Sequence, residues 1–239
     1  MIKPLFPLFC LLLGHVVIAQ NSKTDIVGFA AFDDVVGIEN TNLSQGLLYS
    51  EKYRTINDNK QFFESPNFEE GNIWYGGQSF YKKSLKYDAH HDQVLVQIQS
   101  QITGQQATLQ LFKSEVDSFD LLEHRFVHLN PPKENQVVKT GFYESLYQNE
   151  DVRLFVKHNK NKVEIKGKSF VFYEFPDLKK QYSIFYKKKF HNLNTKKEIL
   201  EVFEIDKKVL NALYKKLKRK YKDQNTFIVE LVKQIESTQ

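Results

Sequence analysis

The chain has 239 residues, 41% hydrophobic and 26% charged, with a mean hydropathy of −0.49 and a formal charge of +5, which excludes a multi-span membrane protein and a disordered tail. A chain of this length can bury one adequate core without disulfide staples. No Gly-x-Gly-x-x-Gly, P-loop or Gly-x-Ser-x-Gly pattern is present, so no nucleotide-binding or serine-hydrolase chemistry is indicated.

At the N-terminus, Lys3 precedes an apolar stretch from Leu5 to Ile18, and Val17-Ile18-Ala19 supplies the small residue that signal peptidase needs. Residues 1–19 read as a signal peptide, with Gln20 starting the mature chain. The run is too short for a membrane span, with Pro4 just before it and Pro7 and Gly14 inside it. Cys10 is the only cysteine, and Phe9 before it does not fit a lipoprotein site. The mature chain therefore uses neither disulfides nor thiolates, which fits a periplasm or cell surface better than a disulfide-dense secreted scaffold. No cofactor is indicated, and export ranks nucleic acid low as a partner.

Residues 21–46 are ambiguous between strand, short helix and ordered tail. From Leu47 to Leu193 the chain reads as short β-rich runs with polar punctuation. They are Ile73 to Tyr75, Ser79 to Tyr87, Val94 to Gln99, Thr108 to Phe112, Val116 to Leu122, Phe126 to Leu129, Phe142 to Tyr147, Val152 to Lys157, Phe170 to Phe175 and Tyr182 to Phe190. Hairpin loops are predicted at Ala89-His90-His91-Asp92 and, between Val152 to His158 and Val163 to Ile165, at Asn159-Lys160-Asn161.

Past Asn194 the period changes. Thr195-Lys196-Lys197-Glu198 is a capping box ahead of Ile199, Leu200, Val202 and Phe203. Asp206 can cap a second helix with Val209, Leu210, Leu213, Leu217 and Tyr221 on one face, and Thr226 a third carrying Phe227, Ile228, Leu231, Val232 and Ile235. Strands followed by helices predict an α+β fold: a mainly antiparallel body over 20–193, with three short amphipathic helices over 194–239 packed on it.

Gly46 to Tyr53, Gly76-Gly77-Gln78-Ser79-Phe80-Tyr81 running into Leu85 to Asp88, and Gly141 to Tyr147 resemble an uncharacterised family of exported Bacteroidota proteins. The Lys-rich end, with Glu198 to Phe203 and Val209 to Tyr221, is similar to that family's C-terminal helices. The resemblance implies compartment and layout, and brings no catalytic residues. The helical end does not look like the β-sandwich sorting domain common in that phylum, which favours the periplasm over onward secretion.

Four groups of residues bear on chemistry. Asp88, His90 and Asp92 alternate and on a continuous strand could ligate a metal for a metal-dependent enzyme, whereas a turn at Ala89 to Asp92 would leave them solvated. His124 and His128 sit in a strand-like run without the zincin glutamate. The acid pairs Asp33-Asp34 and Glu69-Glu70 read as solvated surface. With 20 Phe and 12 Tyr, some aromatics are expected to be exposed or to line a cavity. Trp74 and Tyr75 face opposite sides of a strand, so one can offer a stacking platform for sugar or peptide.

Between Lys187 and Lys222 there are 13 Lys or Arg against 4 acids, so the charge is polarised toward the helices. Lys215, Lys216, Lys218 and Arg219 are candidates for docking on an anionic lipid, a glycan or an acidic envelope protein, or they simply solvate helix faces. The leading expectation is a non-catalytic envelope binding or interaction module. A carrier of a lipid or other apolar ligand in an aromatic-lined β cavity is the alternative.

Overall fold

The computed structural model describes residues 36–56, 60–132 and 137–238. The expected signal peptide, Asp33-Asp34 and most of the ambiguous segment before Gly46 lie outside the described residues. The strands are β1 (Gly46–Leu48), β2 (Glu69–Tyr75), β3 (Gln78–Asp88), β4 (Gln93–Gln99), β5 (Gln106–Leu111), β6 (Val116–Leu121), β7 (His124–Leu129), β8 (Gly141–Gln148), β9 (Arg153–Lys160), β10 (Val163–Lys166), β11 (Val171–Glu174), β12 (Leu178–Tyr186) and β13 (Lys189–Asn192). The helices are α1 (Lys196–Phe203), α2 (Lys207–Lys220) and α3 (Gln224–Glu236). This is the α+β architecture expected from the sequence.

Eleven strands form one antiparallel sheet in the order β1-β5-β4-β3-β2-β6-β7-β8-β9-β12-β13. The strand β2 is the pivot, because one meander runs from it to β5 and a second starts on its other side with β6. Directly paired residues share a sheet face, and one such row crosses seven strands: Phe80, Ile73, Phe119, Phe126, Glu144, Val156 and Tyr182. Every member but Glu144 is apolar or aromatic. Strict alternation would put Phe80 and Leu85 on opposite faces, yet both are buried in one cluster. A bulge reconciles them: the pairing slips between Gly71 and Ile73, Lys82 takes a left-handed φ of 54°, and its N–H donates to Asn72 Oδ1 at 3.2 Å.

The sheet curls until the β3–β4 turn meets β8 and β9, although β2, β6 and β7 lie between them in the hydrogen-bonded order. Asp92 in that turn accepts from Tyr87 Oη (2.7 Å), from Lys113 Nζ (3.0 Å), from Lys157 Nζ on β9 and from the Phe142 N–H on β8 (3.3 Å). Lys157 Nζ also donates to the Phe142 carbonyl at 2.9 Å. Gly141 makes room for this clamp: its φ is 153°, and a Cβ there would overlap Asp92 Oδ2. Burial pushes the Asp92 carboxyl up, but the Lys157 ammonium, the Tyr87 hydroxyl and Lys113 outweigh it and hold it below the usual carboxylate range.

Three expectations are corrected. The strand β10 does not pair with β9. It pairs with β11 as a separate ribbon inserted between β9 and β12, since β9 already has β8 and β12 as partners. The run Tyr182 to Phe190 is two strands, folded back at Lys187 and Lys188, whose φ values of 48° and 63° make a two-residue hairpin turn. The third helix is capped by Asp223, which accepts from the Thr226 N–H at 2.7 Å, so Thr226 lies inside the first turn. The first two helix starts are as expected: the Thr195/Glu198 capping box forms, and Asp206 accepts from Lys208 and Val209 N–H.

The helices cover the end of the concave face that the curl leaves open. Leu154, Val156, Tyr182 and Ile184 meet Ile199, Phe203, Leu210, Leu217, Ile228 and Leu231 in one buried cluster. Leu213 is only partly buried at its margin. Leu217→Ala should therefore destabilise the protein by about 2–5 kcal/mol. Lys215→Ala, two residues away on the solvated face, should change stability by less than about 0.5 kcal/mol. Urea unfolding of the two variants checks both values.

Candidate functional site

The turn that the Asp92 clamp holds also organises the cleft beside it. Asp88, at the end of β3, points to the face opposite to Tyr87 but is buried as well, at 2% exposure, so the turn does not leave it solvated as expected. Its Oδ1 accepts from the N–H groups of His90 (2.9 Å) and His91 (2.8 Å), an Asx turn, and its Oδ2 lies 2.8 Å from His91 Nδ1. With Nδ1 of His91 donating to Asp88, Nε2 is left as an acceptor, and Tyr53 Oη lies 2.9 Å from it. The geometry thus sets an Asp88–His91–Tyr53 chain; with a neutral imidazole, the Tyr53 hydroxyl proton goes to His91 Nε2 and its oxygen lone pairs remain open.

Tyr53 is fixed from other sides as well. Its ring meets Tyr173 and Phe175 edge-on at 5.2 and 5.1 Å, and the main chain around it bonds to β11 through Tyr173 N–H to the Arg54 carbonyl (2.9 Å). Burial, then the Asp88 charge, lifts the Tyr53 hydroxyl above the usual phenol range, so it stays protonated and is not a nucleophile. The cleft formed here has a volume of about 220 Å³, with walls that include Tyr49, Lys52, Tyr53, His91, Gln93 and Gln110. Gln93 is turned away by its bond to the Leu111 carbonyl. On the far wall, buried Gln61 donates to Tyr49 Oη (3.2 Å) and Glu51 Oε1 (2.8 Å), keeping Tyr49 upright.

A second polar group lies in the interior. Glu144, the charged member of the apolar row, is only 5% exposed. Its Oε1 lies 2.6 Å from His124 Nδ1, and its Oε2 lies 2.6 Å from His158 Nε2 and 3.3 Å from the Asn225 amide on α3. Asn225 Oδ1 in turn accepts from Tyr182 Oη (2.9 Å) and Lys180 Nζ (3.0 Å). This carboxylate sits at the seam where the curled sheet hands the core over to the helices. His124 has a carboxylate at each ring nitrogen, with Glu64 Oε2 3.5 Å from Nε2, so it is held as an imidazolium. His158 is buried, and its Nδ1 has no hydrogen-bond partner among the described residues.

The residues singled out in the sequence fall in different places. Asp88, His90 and Asp92 do not converge: Asp88 binds His91, His90 Nδ1 meets the Lys160 carbonyl at 2.8 Å, and Asp92 turns inward to the clamp. Among the described residues no group of three or more His, Cys, Asp or Glu is arranged to hold a metal. Tyr75 is buried and donates to the Gln45 carbonyl at 2.6 Å. Trp74 faces outward, but the Arg125 guanidinium covers its ring at 3.9 Å, held there by Asp120 and Ser118. Glu69 and Glu70, adjacent in β2, point to opposite faces. The interior aromatics pack on one another, with Phe119 stacked on Phe126 at 4.7 Å and Tyr87 within 6.1 Å of Phe63, Phe119, Phe126 and Phe142. Lys215, Lys216, Lys218 and Arg219 are all exposed on α2.

Reasoning from the sequence passed over Tyr53, His91, Glu144 and His158 as site residues. For the last two the period of a strand was the available signal, since Glu144 shares a face with Phe142, and His158 with Leu154 and Val156. Tyr53 carries no such signal, because it lies in a segment without regular structure whose ring partners lie far along the chain, from His90 onward.

The seam gives a pH dependence of stability. Burial raises the Glu144 carboxyl, but the hydrogen bonds from His124 and His158 outweigh it and bring it down to about 2. Its contribution, about 2–3 kcal/mol, is present above the ordinary carboxylate range and is lost as pH falls toward that value. His124 is shifted the other way, raised by its hydrogen bond to Glu144 against the opposing effect of burial. Its contribution is present below the ordinary imidazole range and is lost as pH rises through the raised value. Urea midpoints measured against pH should fall on both sides, and Glu144→Gln should flatten both arms.

The chain was compared with protein-family models, with curated proteins and with solved structures, and it matches none of them. What the site does is therefore given by its own side chains.

Proposed function

We propose that this protein is a non-catalytic, exported binding module of the cell envelope that docks through the basic face of α2 on an anionic membrane surface. The observation that carries the reading is the division of α2 into two faces. Leu210 and Leu217 are buried against the sheet side, while Lys208, Lys215, Lys218 and Arg219 stand exposed on the other. None of these four has a carboxylate within ion-pair distance among the described residues. A helix that only solvated its outer face would be expected to mix both signs, with i to i+4 pairs; between Lys207 and Lys222 no acidic residue occurs.

Export rests on the N-terminal pattern of Lys3, the apolar run and Ala19, and on the resemblance to exported Bacteroidota proteins. No helix among the described residues is long and apolar enough to cross a membrane, so in this reading attachment is peripheral. Each Lys or Arg brought near an anionic bilayer contributes about 1 kcal/mol, screened by salt.

The test is sedimentation with vesicles of phosphatidylcholine alone and of phosphatidylcholine mixed with phosphatidylglycerol. Binding is expected only to the mixed vesicles, weakening as salt is added and lost in the triple variant Lys215→Glu, Lys218→Glu, Arg219→Glu with an unchanged urea midpoint. Equal binding to both vesicle types, or no binding to either, would count against membrane docking, and retention on an immobilised acidic polypeptide but not on vesicles would point to a protein partner instead.

A further inference from the structure

The cleft between the β3–β4 turn and the segment Tyr49 to Tyr53 is separate from α2, and it is built in detail. Its hydrogen-bonding groups are of both kinds. Tyr53 Oη, its proton committed to His91, offers lone pairs; Lys52 Nζ offers donors; the Gln110 amide offers one acceptor and two donors. Neither the Lys52 nor the Gln110 side chain has a hydrogen-bond partner among the described residues, whereas the side chains of the surrounding Asp88, His91, Gln61 and Gln93 are all engaged in fixing the walls. The site thus has a rigid frame and open groups within it, an arrangement suited to a small polar ligand.

Charge and size narrow the ligand class. The Asp88 carboxylate accepts from three N–H groups and Glu51 from Gln61 and Tyr49, and the charges of Lys52 and of the nearby Lys162, which lies 5.3 Å over the Tyr53 ring, balance those two acids. The cleft therefore has no net charge to recruit an ion. Its volume of about 220 Å³ lies below the range of drug-sized pockets, about 300–1,000 Å³, too small for a long acyl chain, and its lining mixes apolar surface, Leu95 included, with polar side chains. The Tyr53 ring is itself taken up, stacked on His91 with Lys162 over it, so the apolar surface on offer is that of Tyr49 and Leu95; beside mixed donors and acceptors it suits a compact ring with an apolar body and a rim of hydroxyls.

We propose that this cleft binds an uncharged hydroxylated ring, a single pyranose residue of a glycan. Tyr53 Oη and Gln110 would take neighbouring hydroxyls, with Lys52 closing the rim. Gln110 and Lys52 are the recognising residues, while Asp88 and His91 act through Tyr53 as positioning residues. The inference is independent of membrane docking, since no residue of α2 lines the cleft.

The experiment is saturation-transfer NMR with titration of the full mature chain, using the methyl glycosides of glucose, galactose, mannose and N-acetylglucosamine as probes. At least one should bind with a Kd in the millimolar range or below. Affinity should fall at least about fivefold in Gln110→Leu and in Lys52→Met, as expected for a lost hydrogen bond, while urea midpoints stay unchanged. Ile102→Ser, at the far end of the β4–β5 hairpin, should bind as the parent does. The proposal is overturned by no binding of any glycoside at about 20 mM, a concentration well above a millimolar Kd. It is equally overturned by binding indifferent to Gln110→Leu, or by binding of glucuronate or glucose 6-phosphate alone.

Discussion

The fold depends on one partly buried carboxylate, Asp92, which joins strands far apart in the sheet. A sheet of this many strands in open form would expose the aromatic face running from Phe80 to Phe126, and curling encloses it. The curl is held where the β3–β4 turn meets β8 and β9, through Lys157, Lys113, Tyr87 and the Phe142 N–H. A buried ion pair is favourable only if its geometry is good and its remaining hydrogen bonds are satisfied. Here Asp92 is met by four donors, and Gly141 leaves the space they need. The same contacts position Asp88, His90 and His91, so closure of the sheet and formation of the cleft are one event.

The second carboxylate, Glu144, marks the limit of what curling can enclose. On one side of it the core is sheet against sheet, with Phe119 on Phe126; on the other it is sheet against helix, with Val156 and Tyr182 under α1 to α3. A charged residue in such a row costs several kcal/mol unless it is paired and hydrogen-bonded. His124, His158 and Asn225 supply the pairing, and Asn225 makes the supply depend on α3 being docked. The helical end is thereby tied into the core by a polar contact as well as by apolar burial, which keeps the basic face of α2 at a fixed place on the body.

Strand positions were largely legible because the two-residue period of half-buried strands is local, as are the Thr195/Glu198 box and the Asp206 cap. What was hidden is what depends on partners distant in sequence. The pairing of β10 with β11 rather than β9 follows from β9 having both edges taken, and nothing within Val152 to Ile165 records that. The bulge at Lys82 inverts the facing of Phe80 relative to Leu85, so alternation alone misreads β3. The alternating Asp88, His90 and Asp92 formed a turn, as the flanking apolar runs suggested. That this turn would send Asp88 outward to His91 and Asp92 inward to Lys157 is set by the curl.

The most direct test of the central claim is amide hydrogen exchange on the parent and on Asp92→Asn, a variant that keeps the shape of the side chain and removes its charge. If Asp92 closes the sheet and so builds the cleft, protection should fall at His90, His91, Phe142 and the end of β9, while β2, β6 and the three helices keep theirs. Unchanged protection at the turn, or a uniform loss across the whole chain, would contradict the account.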